Sequence, residues 1–121
     1  MSTRRFQVWE YTVSHAQLLL RSVRDEAHPT RVDVLFKNVG YMALPSAFMV
    51  DVIEELTGDQ LETLEGLAAG ALRDGRTAFR LTTADGEGLV VAGVMVSAED
   101  ELESHEPSAL PCWPMRSGPA D

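Results

Sequence analysis

Apolar and polar residues alternating with a period of two restrict this chain most, and the pattern is clearest where two alternating runs abut. Residues 6–22, Phe-Gln-Val-Trp-Glu-Tyr-Thr-Val-Ser-His-Ala-Gln-Leu-Leu-Leu-Arg-Ser, read as two strands folded back on each other. With Ser14 to Gln17 as the connecting loop, Val13 faces Leu18, Tyr11 faces Leu20 and Glu10 faces Arg21. One face of the ribbon then carries Trp9, Tyr11, Val13, Leu18 and Leu20, and the other carries Glu10, Thr12 and Arg21 with a charge pair directly opposite. A slip of one residue would exchange the two faces, so this register is expected to nucleate a sheet.

The same period continues downstream. Val23 to Thr30 breaks it with charge and ends in His28-Pro29, a loop signal. Arg31 to Lys37 resumes it, placing Val32, Val34 and Phe36 inward and Arg31, Asp33 and Lys37 on a wet face. Asn38-Val39-Gly40 supplies two residues that tolerate positive φ, which predicts a tight hairpin with Tyr41 to Leu44 returning antiparallel. Pro45 ends that strand or confines it to an edge. Phe48, Val50 and Val52 predict a further strand, and Arg76 to Thr83 another with Phe79 and Leu81 inward. Asp85-Gly86 reads as a hairpin turn, and Leu89 to Ser97, apolar on both faces, as a central and deeply buried strand.

One helix is predicted, from about Gly58 to Asp74. Thr57 and Gln60 have capping-box spacing, and Leu56 and Leu61 occupy the staple positions around it. Leu61, Leu64, Ala68, Ala71 and Leu72 follow at helical spacing, and Gly75 suits the position just past the end. Gly66 and Gly70 each cost about 1 kcal/mol inside such a helix. The expected fold class is therefore α+β, a mostly antiparallel, strongly curved sheet of about seven strands, open or partly closed into a barrel, with this helix packed on it.

Residues 1–103 are expected to form one globular domain, burying roughly two thirds of the surface its unfolded chain exposes. Residues 104–121 hold four of the six prolines and follow an acidic stretch, a composition expected of a tail whose Leu110, Trp113 and Met115 need an apolar surface. The net charge of −9 disfavours nucleic acid and favours a basic protein partner. The basic opening Met-Ser-Thr-Arg-Arg leads into alternation rather than an apolar h-region, and Gly88 to Ala98 is too short for a membrane helix, so a cytoplasmic protein with no membrane association is expected. The single cysteine, Cys112, excludes an intramolecular disulfide.

No constellation carries catalysis. Glu103, His105 and Glu106 are legitimate metal-ligand types, but one imidazole without a rigid element reads as a solvated acidic segment, and no metal or other cofactor is expected. Gly86-Glu87-Gly88 lacks the lysine and third glycine of a phosphate loop. The candidate binding residues are Trp9, Tyr11, His15, Arg21, Arg31 and Asp33 on or beside the first three strands, with Trp113 in the tail. The competing assignments are core packing for Trp9 and Tyr11, a solvated turn for His15 and cross-strand pairing for the three charged residues.

Trp9-x-Tyr11-x-Val13-Ser14-His15-x-Gln17-Leu18-Leu19-Leu20-Arg21-Ser22 and Thr30-Arg31-Val32-Asp33-Val34-Leu35-Phe36-Lys37 resemble a group of small, uncharacterised bacterial proteins. The resemblance covers about the first third of the chain, with an echo in Val90-Val91-Ala92-Gly93 and His105-Glu106-Pro107-Ser108, and implies a stand-alone bacterial domain with no activity attached. The leading functional expectation is a non-enzymatic protein-interaction module that binds a basic partner or self-associates as a homodimer. The alternative is a small-molecule binding protein or enzyme with a pocket near Trp9, Tyr11 and His15.

Overall fold

The computed structural model of the chain describes residues 4–83 and 86–103. Nine strands are formed there: β1 (Arg4–Thr12), β2 (Gln17–Ser22), β3 (Arg31–Lys37), β4 (Tyr41–Ala43), β5 (Ala47–Val50), β6 (Val52–Glu55), β7 (Thr77–Thr83), β8 (Gly86–Ala92) and β9 (Val94–Asp100). They assemble into two antiparallel sheets, ordered β5-β1-β2-β3-β9 and β4-β8-β7-β6, rather than one curved sheet of about seven strands, and no barrel closes. The sheets face each other across a core of Phe6, Leu18, Leu20, Val34, Phe36, Val50, Leu81 and Val90. Phe36 of the first sheet meets Phe79 of the second with ring centroids 5.4 Å apart, a tilted aromatic contact at the centre of the interface.

Three expectations fail at the places where the chain changes sheet. The Asn38–Gly40 segment does not return the chain beside β3. It carries it across to the second sheet, where β4 pairs with β8. Asn38 does take a positive φ of 58°, but Val39 N–H donates to Ala16 O and Gly40 N–H to Val91 O, so the bend is held by partners outside a hairpin. The strand expected through Phe48, Val50 and Val52 splits at Asp51, whose N–H donates to Thr82 O and hands β6 to the second sheet. The long apolar strand likewise splits at Gly93. There a Cβ would lie 3.1 Å from Asn38 Cβ, a close approach that a side chain would crowd. Val90, Val91 and Ala92 before it are fully buried as expected, whereas Val94 and Val96 beyond it are exposed on the terminal strand.

The predicted helix is broken. Gln60 accepts the Thr57 N–H at 3.1 Å in the expected capping box, but the box opens a 3₁₀ segment, Gly58–Thr63, instead of an α-helix. Leu64 and Glu65 are then extended, and Gly66 adopts φ of +61° before a short helix α1 (Gly66–Ala71) and a 3₁₀ turn, Leu72–Asp74. Gly75 at φ of +80° ends it as predicted. The break lets Leu61 and Leu64 pack with Ala71 and Leu72 around Leu56, Ala78 and Val91, on the side of the second sheet turned away from the first. Residues 104–121, with Leu110, Cys112, Trp113 and Met115, and residues 84 and 85, beside the turn expected at Asp85-Gly86, lie outside the described residues.

Candidate functional site

The register of β1 decides which of its side chains can reach the interior. The hairpin pairs Thr12 with Gln17, Tyr11 with Leu18 and Glu10 with Leu19, so its turn is Val13 to Ala16, one residue earlier than expected. A bulge at Trp9 then moves the register one residue further, placing Val8 opposite Leu20 and Gln7 opposite Arg21, where the sequence pattern put Tyr11 and Glu10. The expected apolar face of Trp9, Tyr11 and Val13 is therefore not core, and Val13 is 82% exposed. The inward positions of β1 are instead Arg4, Phe6 and Val8.

Arg4 ends that inward row and is only 7% exposed. Its Nε donates to Ser22 Oγ at 2.9 Å and its Nη2 donates to the Thr30 carbonyl at 2.7 Å, bracing the guanidinium from β2 and from the approach to β3. No carboxylate pairs with it among the described residues, and Nη1 makes no hydrogen bond there. Arg4 lines a pocket of about 530 Å³ between the two sheets. Phe6, the β3 residues Val32 and Val34, Ile53 of β6 and Met95 of β9 supply its apolar lining, and Ser97 and Glu99 of β9, both exposed, its other polar groups. Such a combination, a largely apolar concavity with a few converging polar groups, is the usual form of a small-molecule site. Glu99 is exposed, and its carboxylate accepts a hydrogen bond from Thr30 Oγ1. A smaller pocket of about 330 Å³, lined by Pro45, Phe48, Met49 and Glu87, offers no cation.

The residues singled out from sequence gather only in part. Arg21, Asp33 and Arg31 do pair across the strands, but on a buried face: Arg21 is 1% exposed and the other two are fully buried, so the expected wet face is corrected. Arg21 Nε donates to Asp33 Oδ1 at 2.7 Å and Nη2 to Oδ2 at 3.1 Å, a bidentate pair. Arg31 Nη2 lies 3.8 Å from Asp33 Oδ2, while Arg31 also donates to Asp100 at 3.1 and 3.2 Å and to the Glu103 carbonyl at 2.9 Å. Trp9 joins them, with its ring 5.0 Å from the Arg21 guanidinium carbon. Tyr11 is exposed opposite Leu18, and His15 is exposed in the turn with Nδ1 2.9 Å from Ser14 Oγ, so neither belongs to this group. Trp113 lies outside the described residues.

The charged chain Arg21–Asp33–Arg31–Asp100 ties β2, β3 and β9 together on the face opposite the pocket. Its carboxylates and guanidinia pair with one another across three strands, the arrangement of a structural staple. Sequence reasoning missed Arg4 because Arg4-Arg5 resembles a basic leader; counting back from Phe6 by twos would have placed Arg4 inward.

Elsewhere two ionisable groups are shifted. Burial pushes the Asp25 carboxyl up, but hydrogen bonds from the His28 N–H, the His28 ring and the Ala27 N–H outweigh it and hold the group below the usual carboxylate range. The Glu54 carboxylate raises the Arg80 guanidinium above its ordinary value through a hydrogen bond of 2.6 Å across β6 and β7. Among the described residues no group of three or more His, Cys, Asp or Glu side chains could hold a metal ion, and no helix is long and apolar enough to cross a membrane. Compared with known proteins, the chain matches no family model, no curated protein and no solved structure.

Proposed function

We propose that the protein is a non-enzymatic binding protein whose ligand is a small amphipathic molecule held between the two sheets. The observation that carries this reading is the pocket bounded by Phe6, Val34, Ile53 and Met95 with the buried Arg4 in its wall. A core packed for stability alone would fill such a space, because each unfilled volume forfeits dispersion contacts. Its polar groups, one guanidinium, one hydroxyl and one carboxylate, suit the holding of a ligand. The pocket is separate from the neighbourhood of Trp9, Tyr11 and His15, where the sequence pattern would put a ligand.

The test is a titration with the neutral fluorescent probe N-phenylnaphthylamine. Saturable enhancement with one probe per chain is expected, and Ser97→Trp, which fills the pocket from an exposed position, should abolish it. An unsaturable signal, or one that Ser97→Trp leaves intact, overturns the reading.

A second reading, self-association through a strand edge, draws on β9. It is the terminal strand of its sheet, runs seven residues without lysine or proline, and exposes Val94 and Val96. It predicts sedimentation as a dimer at micromolar concentration, weakened by Val96→Lys; a monomer throughout would dispose of it.

A further inference from the structure

We infer that the polar end of the ligand is a carboxylate gripped by Arg4, so that the pocket takes an aliphatic or aryl monocarboxylic acid in its anionic form. This rests on the binding reading above and names its ligand class.

A guanidinium carries five N–H donors. Two of Arg4's are engaged, by Ser22 Oγ and by the Thr30 carbonyl, and both acceptors are uncharged. The remaining donors have no protein acceptor among the described residues, although the side chain is 93% buried by its 7% exposure. Taking a guanidinium out of water without a counter-charge is unfavourable, and buried arginines are ordinarily paired. In this same protein Arg21 and Arg31 obey that rule, each with a carboxylate at hydrogen-bonding distance. Arg4 is the departure from it, and it lies in the pocket wall rather than in a packed strand interface.

The two bonds it does make fix the plane of the group, so the cost of orienting it is met before any ligand arrives. A planar carboxylate matches the geometry of a braced guanidinium better than a point charge does. The body of the ligand would lie along Phe6, Val32, Val34 and Met95. Glu99 sets the limit on charge. Its carboxylate lines the same pocket, drawn toward Thr30 Oγ1, and would repel a second anionic group on the ligand, which favours a monoanion over a dianion.

The experiment compares decanoate, decanol and decyltrimethylammonium by titration calorimetry at neutral pH, each below its micelle concentration. Decanoate is expected to bind at least tenfold tighter than decanol, and decyltrimethylammonium weakest. Arg4→Gln, checked for folding by circular dichroism, should weaken decanoate at least tenfold more than it weakens decanol. Should that variant fail to fold, Glu99→Gln, at an exposed position, serves instead and is expected to tighten decanoate severalfold more than it changes decanol. Equal binding of decanoate and decanol, or preference for the cation, overturns the carboxylate inference and leaves the pocket reading standing. Binding of none of the three, together with failure of the neutral probe, overturns both.

Discussion

Removing the Asp33 carboxylate should be among the most damaging single changes available in this protein. Asp33 is fully buried, bonded twice to Arg21 and 3.8 Å from Arg31, so Asp33→Ala takes a carboxylate from two buried guanidinia at once. Breaking one buried ion pair by deleting a partner typically costs about 3–5 kcal/mol. The lower end is expected, because Arg31 keeps the Asp100 carboxylate and both arginines make further contacts. With an unfolding entropy of about 2 cal/mol/K per residue over about 100 ordered residues, a loss of about 3 kcal/mol lowers Tm by about 15 °C. Calorimetry or urea denaturation reads this directly. The double variant Arg21→Met/Asp33→Leu removes the pair without stranding Arg21 and should cost under about 1.5 kcal/mol, less than Asp33→Ala alone. If Asp33→Ala cost under about 1 kcal/mol, in the range of a solvated surface pair, the buried face would have been misread and the staple with it.

Further predictions test other features. Gly66→Ala should destabilise by about 1 kcal/mol, because Gly66 sits at φ of +61°; in an unbroken helix the same change would stabilise by about as much, so the sign alone decides between the two backbones. The Asp25 carboxyl, held low in the folded chain, lends stability that is fully present above the unfolded pKa of about 3.9 and is lost as pH falls through the lower folded value. A carbon-13 pH titration of its side chain should give a midpoint below about 3.9, and a midpoint at or above it would contradict the bonds from His28 and Ala27.

How much of this was legible in the sequence depended on whether neighbours within a few residues decide the outcome. The inward faces of β3 and β7, with Val32, Val34 and Phe36 and with Phe79 and Leu81, followed from period two because successive side chains of a strand point to opposite faces. The capping box at Thr57 and the glycine stop at Gly75 followed from local hydrogen bonding. Features set by distant partners were hidden. The turn at Val13 to Ala16 shifts the first hairpin, the bulge at Trp9 shifts its start again, and nothing within residues 6–22 announces the bulge. The bends at Asp51 and Gly93 depend on Thr82 and Lys37, each more than thirty residues away along the chain or, at Gly93, more than fifty. Helical spacing from Leu61 to Leu72 survived as packing around Ala78 and Val91, although the backbone that delivers it is interrupted.

The candidate site divides the same way. Pairing of Arg21 with Asp33 was readable, since opposite charges at matching positions of adjacent strands attract. Its burial was not, because the pattern of β3 alone makes Asp33 look like a surface residue. Arg4 was the larger omission. Its role depends on Ser22 and Thr30 being brought to its guanidinium by the β1–β2–β3 order and on a second sheet standing opposite, none of which a dipeptide of arginines reveals.

The most direct check on the central claim is a nitrogen-15 chemical-shift map of the full chain titrated with decanoate. The account predicts the largest shifts at the Arg4 side-chain Nε and at the backbone of Phe6, Val34, Met95 and Ser97, with Leu19 and Leu35 on the opposite face of the same sheet unmoved. Shifts centred on Leu19, Leu35 and Trp9, or an Arg4 Nε that does not respond while decanoate binds, would contradict it.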